Sequence, residues 1–201
     1  MLLVAASALG AQEPRLTRPA DWHIRADRPD ADTTGLYFVG MPPGWHITTG
    51  PSVILWNPST TASGNFRIEM EVFFFRENSR DTEGYGLLFG GRNLDAPGQD
   101  YVYVLLRNDG RFTVRHRGGP EVHTITDWTA HEAIARHSGG EGATVKNVMV
   151  VETQPETVRV LVNGQELGVY PRSHMNADGI VGLRVNHALN LHVSRLEVLP
   201  R

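Results

Sequence analysis

The sequence contains no cysteine, which removes disulfides, thiolate metal sites and cysteine nucleophiles together. Lysine is nearly absent too: Lys146 stands alone against 18 arginines, a bias that favours bidentate, weakly hydrated contacts suited to protein interfaces. Positive charge is not in excess. A net charge of −3 and a pI near 6.3 leave no chain-wide phosphate-binding footprint, which argues against nucleic acid as a general partner. No apolar run reaches the roughly 18–20 residues that a membrane-crossing helix needs. A Gly-x-Ser-x-Gly elbow and a phosphate-cradling glycine loop are also missing, so serine-hydrolase and nucleotide chemistry fall away. What is there is 40 % hydrophobic and 20 % charged residues over 201 positions, a globular composition with enough chain for one core and too little for two.

Three zones follow one another. Residues 1–11, MLLVAASALGA, form an apolar segment ending in small residues. It reads as the back half of a signal peptide, without the basic start, or as an apolar anchoring arm. Export to the periplasm or the outside is the expected address. Residues 12–35 form an extended polar arm rich in Pro, Arg and Asp, in which Trp22 is the natural anchor and Arg15 and Arg18 are candidate contacts.

From Leu36 to the end, residues 36–201, the hydrophobic period is two rather than 3.6. Asn65 to Phe75 alternates cleanly, with Phe66, Ile68, Met70, Val72 and Phe74 on one face and Arg67, Glu69, Glu71, Phe73 and Phe75 on the other. Asn108-Asp109-Gly110 and Asn163-Gly164 are hairpin turns between such stretches. Thr129 to Arg136 is the one candidate for a short helix. About a dozen strands without helical crossovers predict an all-β fold: a two-sheet antiparallel sandwich preceded by an extended N-terminal arm.

Four stretches carry a resemblance. Asn65 to Val72 resembles a long strand that follows a Trp-containing turn, and Gly84-Tyr85-Gly86-Leu87-Leu88-Phe89-Gly90 a glycine-flanked central strand. Val158 to Gly164 resembles a strand ending in Asn-Gly, and Gly179 to Leu183 with Leu191 to Val198 a closing pair. In that order they resemble the concanavalin A-like lectin/glucanase (laminin-G-like) jelly-roll superfamily, nearest its secreted bacterial 3-keto-disaccharide hydrolase-like branch. The resemblance implies the jelly roll and is specific for fold rather than activity.

Glucanases of that fold carry Glu-x-Asp-x-x-Glu on one strand, which sets a nucleophile and an acid about 5 Å apart. Here the line is Glu69-Met70-Glu71-Val72-Phe73-Phe74, with Phe74 where the second catalytic Glu would stand. Carboxylates two apart on a strand's outer face are also the ordinary partners of arginine. No catalytic residue and no metal ligand is assigned. His131 and His137 are six apart, wrong for a helical zinc pair, while His116 and His123 could face each other across a hairpin. Asp95, Gln99 and Asp100 form a loop that could hold calcium, as in several members of the superfamily.

Trp45, Trp56 and Trp128 sit beside turns and are candidate glycan-stacking rings or core plugs. Phe73 and Phe75 are costly on a solvated face unless something covers them, and with Trp22, Arg15 and Arg18 they mark an expected interaction surface. The preferred expectation is a non-catalytic exported subunit docked on protein partners in a larger periplasmic assembly, membrane-bound or not. The alternatives are a glycan-binding module and a glycoside hydrolase-like enzyme.

Overall fold

The computed structural model describes residues 17–137, 139 and 143–201. The apolar segment 1–11 and Arg15 lie outside the described residues. Fourteen strands form among those described: β1 (His23–Ala26), β2 (Tyr37–Gly40), β3 (Trp45–Thr49), β4 (Val53–Ala62), β5 (Phe66–Phe75), β6 (Tyr85–Arg92) and β7 (Asp100–Leu106). They continue with β8 (Arg111–Gly118), β9 (Glu121–Ala130), β10 (Thr144–Thr153), β11 (Thr157–Val162), β12 (Gln165–Pro171), β13 (Gly179–Val185) and β14 (Leu189–Pro200). One 3-10 turn spans Arg172–His174. The strands make two seven-stranded sheets, β1-β4-β13-β6-β7-β8-β9 and β12-β11-β10-β5-β14-β3-β2. The chain crosses repeatedly between them, as a jelly roll requires.

Alternation dictates the sandwich. Along β5 every second residue, from Phe66 to Phe74, is buried against the facing sheet, while Arg67 to Phe75 point outward. Leu55, Leu87, Val104, Val151, Val160 and Leu183 meet them from the other strands in one continuous core. Each such side chain taken out of water contributes about 1.5–3 kcal/mol. The strands β6 and β7 are buried on both faces and read as near-unbroken apolar runs. Asn163 and Gly164 both take positive φ, 49° and 82°, giving the type I′ turn their sequence predicts.

Three elements depart from the sequence expectation. The polar arm is not merely extended: His23–Ala26 pairs with β4 and becomes an edge strand of the first sheet. At the opposite edge β9 is almost wholly exposed, so burial leaves no period-two imprint on its sequence. Thr129 to Arg136 forms no helix, because its backbone groups are claimed elsewhere. The side chain of Asn147, fully buried, accepts from Ala135 N at 2.9 Å and donates to Ala135 O at 3.1 Å, while Asn108 Oδ1 accepts from His137 N at 2.7 Å. The segment is thereby strapped across the end of the core, with Ala133 and Ile134 buried beneath it.

Asn147 also donates to the Tyr85 hydroxyl at 3.3 Å and accepts from Asn163 Nδ2 at 2.8 Å, so one amide satisfies four buried or half-buried groups. Replacing it by Leu orphans the Ala135 backbone groups and the Tyr85 hydroxyl, while Asn163 Nδ2 keeps Ala133 O at 2.8 Å. Asn147→Leu is expected to lower stability by about 2–3 kcal/mol, read as a shift of the urea midpoint. Burial pushes the Tyr85 phenol up to about 12, against a smaller opposing effect of the Asn147 hydrogen bond. A raised folded pKa contributes stability below the unfolded value of about 10 that is lost as pH rises through 12. Wild-type stability is therefore expected to fall between these pH values, and the fall attributable to this residue should vanish in Tyr85→Phe.

Candidate functional site

The first sheet has a second apolar layer on its outer face. Ile54, Trp56, Leu88, Tyr101, Tyr103 and Leu105 point away from the second sheet and pack together there. Half of that layer is roofed. The loop joining β6 to β7 folds across it, burying Leu94, and Arg25 Nη1 donates to Leu94 O at 2.8 Å to pin the loop to β1. Beside it lies a depression of about 270 Å³, whose lining includes Tyr103, itself 5 % exposed, with Arg107, Arg115, Arg117, Trp128 and Arg184.

Strand register gathers these residues. On the β7–β8 hairpin Tyr103 lies opposite Arg115 and Tyr101 opposite Arg117, so two arginines share the face of the tyrosines. Arg107 follows the end of β7 and lays its guanidinium 3.5 Å above the Trp128 ring, with Arg115 5.9 Å from the same ring. Arg115 Nε donates to Thr113 Oγ1 at 3.2 Å and Arg117 Nε to Gly119 O at 2.7 Å, which fixes both side chains along the strand. Arg184, opposite Ile54 on β4, is buried and gives two hydrogen bonds to the two carboxylate oxygens of Asp27.

Four arginines thus face one aspartate, Asp27, in the lining of a chain whose net charge is −3. Among the described residues Arg107 and Arg117 have no carboxylate within ion-pair distance; Arg115 has the exposed Asp127 at 3.8 Å. Burial lowers the Arg107 pKa below that of a free arginine, more than Asp109 and Glu83 raise it. For Arg184 burial again opposes the charge, but the Asp27 hydrogen bonds and the surrounding field outweigh it and the net shift is upward. The Nε atoms of Arg107 and Arg184 are buried without a hydrogen-bond acceptor. A larger depression of about 470 Å³ shares Asp27 and is lined by Ala31, Gly50, Pro51 and Ser52 with Arg28 and His187, which pair with Asp30 at 3.8 Å and Glu83 at 3.2 Å, while its Asp32 is satisfied by the Thr34 amide and hydroxyl.

The other expected site residues scatter. Trp22 is 7 % exposed and packs on Phe38 and Trp45 at ring separations of 5.3 and 4.8 Å, so it anchors the arm in its own core and offers no surface to a partner. Trp45 is a plug beside it. Trp56, 1 % exposed, is covered by the His23 ring at 5.3 Å and cannot stack on a sugar. Trp128 alone of the three reaches the groove, with one face already under Arg107. Phe73 and Phe75 lie half-buried on the outer face of the second sheet, flanked by His192 at 6.3 Å and His46 at 5.7 Å. Arg18 donates to Trp22 O at 3.5 Å, remote in the chain from that pair.

Glu69 and Glu71 take the ordinary role of paired carboxylates. Glu69 accepts from Arg67 and Arg195, and Glu71 from Ser194 Oγ at 2.8 Å and Lys146 Nζ at 3.2 Å. The Ser194 hydrogen bond is the first cause holding the Glu71 carboxyl below its usual range, ahead of Lys146. No group of three His, Asp or Glu side chains among the described residues is arranged to hold a metal ion. In the loop expected to suit calcium, Asp95 pairs with His23 at 3.3 Å and Asp100 with His116 at 3.1 Å. His116 and His123 do face each other, stacked at 5.8 Å.

No sequence family and no curated protein matches the chain. Solved structures do. The carbohydrate-binding module CBM66 from Bacillus subtilis superposes with a TM-score of 0.63 at 10 % identity, over 92 % of this chain and 97 % of that one. A Bacillus subtilis protein of unknown function with a galectin-like fold gives 0.61 at 11 % identity, covering 90 % and 91 %. A Bacteroides ovatus mixed-linkage glucan GH16 in complex with its product gives 0.60 at 7 %, covering 92 % and 97 %. The likeness is one of fold: the sandwich is a jelly roll like theirs.

The Arg184–Asp27 pair sets the floor of the groove, and breaking it leaves a buried charge. Asp27→Asn is expected to cost about 2–3 kcal/mol, discounted for the partial exposure of Asp27, in guanidinium unfolding. The double variant Asp27→Asn/Arg184→Met should regain most of that loss, because the uncompensated charge is gone.

Proposed function

We propose that this concanavalin A-like jelly roll is a non-catalytic glycan-binding module whose site is the groove of Tyr103, Arg107, Arg115, Arg117, Trp128 and Arg184. The observation that carries this is the groove itself: an open depression on the outer face of a rigid sheet, with an aromatic wall and several guanidinium donors fixed by packing. Two of the structural neighbours support it, one a carbohydrate-binding module and one a glucan-directed GH16 with a bound product. Guanidinium groups suit sugars because their fork of donors matches vicinal oxygens, and they hold position when laid on an indole.

Hydrolysis is the weaker alternative. A retaining or inverting glycosidase needs two carboxyl groups about 5–9.5 Å apart across the bond to be cut. The groove presents Asp27 alone, bound through both oxygens to Arg184, while Glu69 and Glu71 sit on the other sheet inside ion pairs. The accessory-subunit alternative has its own support in the half-buried Phe73 and Phe75 beside the exposed Tyr37. Phe73→Ser/Phe75→Ser would weaken partner docking while leaving glycan binding intact.

Affinity electrophoresis of the full chain through a panel of polysaccharides tests the glycan function. Retardation by at least one polysaccharide, with no release of reducing ends, is the expected result. Trp128→Ala should weaken that binding by about tenfold, the loss of one stacked, preorganised contact. Passage of the wild-type protein through every gel without retardation would refute the proposal.

A further inference from the structure

Neutral sugars need donors and acceptors in balance, and this groove is not balanced. Among the described residues Arg107, Arg115, Arg117 and Arg184 line it against one lining carboxylate, Asp27, which is spent on Arg184, while the exposed Asp127 reaches only Arg115, at 3.8 Å. The chain as a whole is acidic, so the local excess of positive charge is not a by-product of composition.

Arg107 is the informative residue. It is half-buried, stacked on Trp128 at 3.5 Å, and among the described residues faces no carboxylate within ion-pair distance. Its Nε is buried with no acceptor. A guanidinium that has given up water without gaining an anion is costly. Trp128 holds it in place and cannot neutralise it. The neighbouring donors point the same way. Arg115 and Arg117 commit their Nε atoms to Thr113 and Gly119, and among the described residues no hydrogen bond occupies their terminal nitrogens, the exposed Asp127 standing 3.8 Å from Arg115 Nη2. Desolvation also works against the Arg107 charge in the folded protein, which an incoming anion would relieve.

We infer that the groove takes an acidic saccharide, one bearing a carboxylate or sulfate group that Arg107 receives on Trp128 with help from Arg115 and Arg117. This rests on the glycan-binding function proposed above and adds its ligand class. The anion would accept paired N–H donors in the plane of the guanidinium, the strongest geometry available to an arginine. The sugar ring would lie along the exposed Val122 and the aliphatic stems of the arginines.

The test is calorimetric titration of the full chain with three probes of similar length: an oligogalacturonate, a sulfated galactan oligosaccharide and a neutral malto-oligosaccharide. At least one acidic probe is expected to bind about tenfold or more tightly than the neutral one, with an affinity that drops as salt rises from about 50 to about 300 mM. Arg107→Gln should reduce the affinity for that acidic probe about tenfold and flatten its salt dependence, with the thermal midpoint recorded to show the variant is folded. Arg117→Gln, farther from Trp128, supplies a second variant should Arg107→Gln fail to fold. Equal binding of neutral and acidic probes, or folded variants that bind the acidic probe like wild type, would overturn the charge inference and leave glycan binding standing. Absence of binding to all three probes and to the polysaccharide panel would overturn both.

Discussion

A charged guanidinium sits where a central strand should carry an apolar side chain, and the N-terminal part of the chain is organised around it. Arg184 lies in the middle of the first sheet with Tyr103 5.7 Å away, buried on all sides but the groove. Burying it alone would cost several kcal/mol. Asp27 removes that cost, and Asp27 can reach it because the preceding residues, His23–Ala26, pair with β4 as an edge strand. The arm is therefore not a decoration on the sandwich. Trp22 locks it into the inner core, Arg25 pins the roofing loop over the outer layer, and Asp27 compensates the charge at the groove floor.

That arrangement leaves the two outer faces with opposite characters. On the second sheet, charges are consumed within the face: Glu152 accepts from Arg67, Arg159 and Arg201, and Glu69 from Arg67 and Arg195. Such a lattice presents little unsatisfied hydrogen-bonding capacity to a ligand. On the first sheet, in the lining of the groove, arginines outnumber carboxylates beside a buried apolar layer. The difference follows from partners, because both faces contain arginine, and only one supplies enough carboxylates to absorb it.

The fold was legible in the sequence because its physics is local. Phe66 to Phe75 announces which side faces the core, and Asn163-Gly164 announces where the chain reverses. Elements without that imprint escaped. β9 is exposed on both faces, and the segment after it looked helical until Asn147, from a strand distant in sequence, claimed its backbone. The site was less legible for the same reason. Trp56 and Trp128 look alike in sequence, both beside turns, yet His23 of β1 covers one while the other stands at an open groove. A usable signal did exist. Tyr101, Tyr103 and Leu105 share parity, and so do Arg115 and Arg117 across the Asn108-Asp109-Gly110 turn, so a hairpin pairing them face to face would have gathered the arginines in advance.

Identities of 7–11 % to jelly rolls that superpose over nine-tenths of the chain or more show how few positions the architecture fixes. The inner face tolerates any apolar side chain of suitable volume, which is a weak demand on sequence. The outer face of the first sheet is under no such demand, and a charged, desolvated residue there is a net cost to folding. Arg107, stacked and without a carboxylate at ion-pair distance among the described residues, therefore destabilises the isolated chain relative to an apolar or polar neutral residue in the same place. The jelly roll has no structural need for a guanidinium at that position. On the proposed function that cost is offset when an acceptor enters the groove, whereas the sandwich that carries it specifies no function by itself.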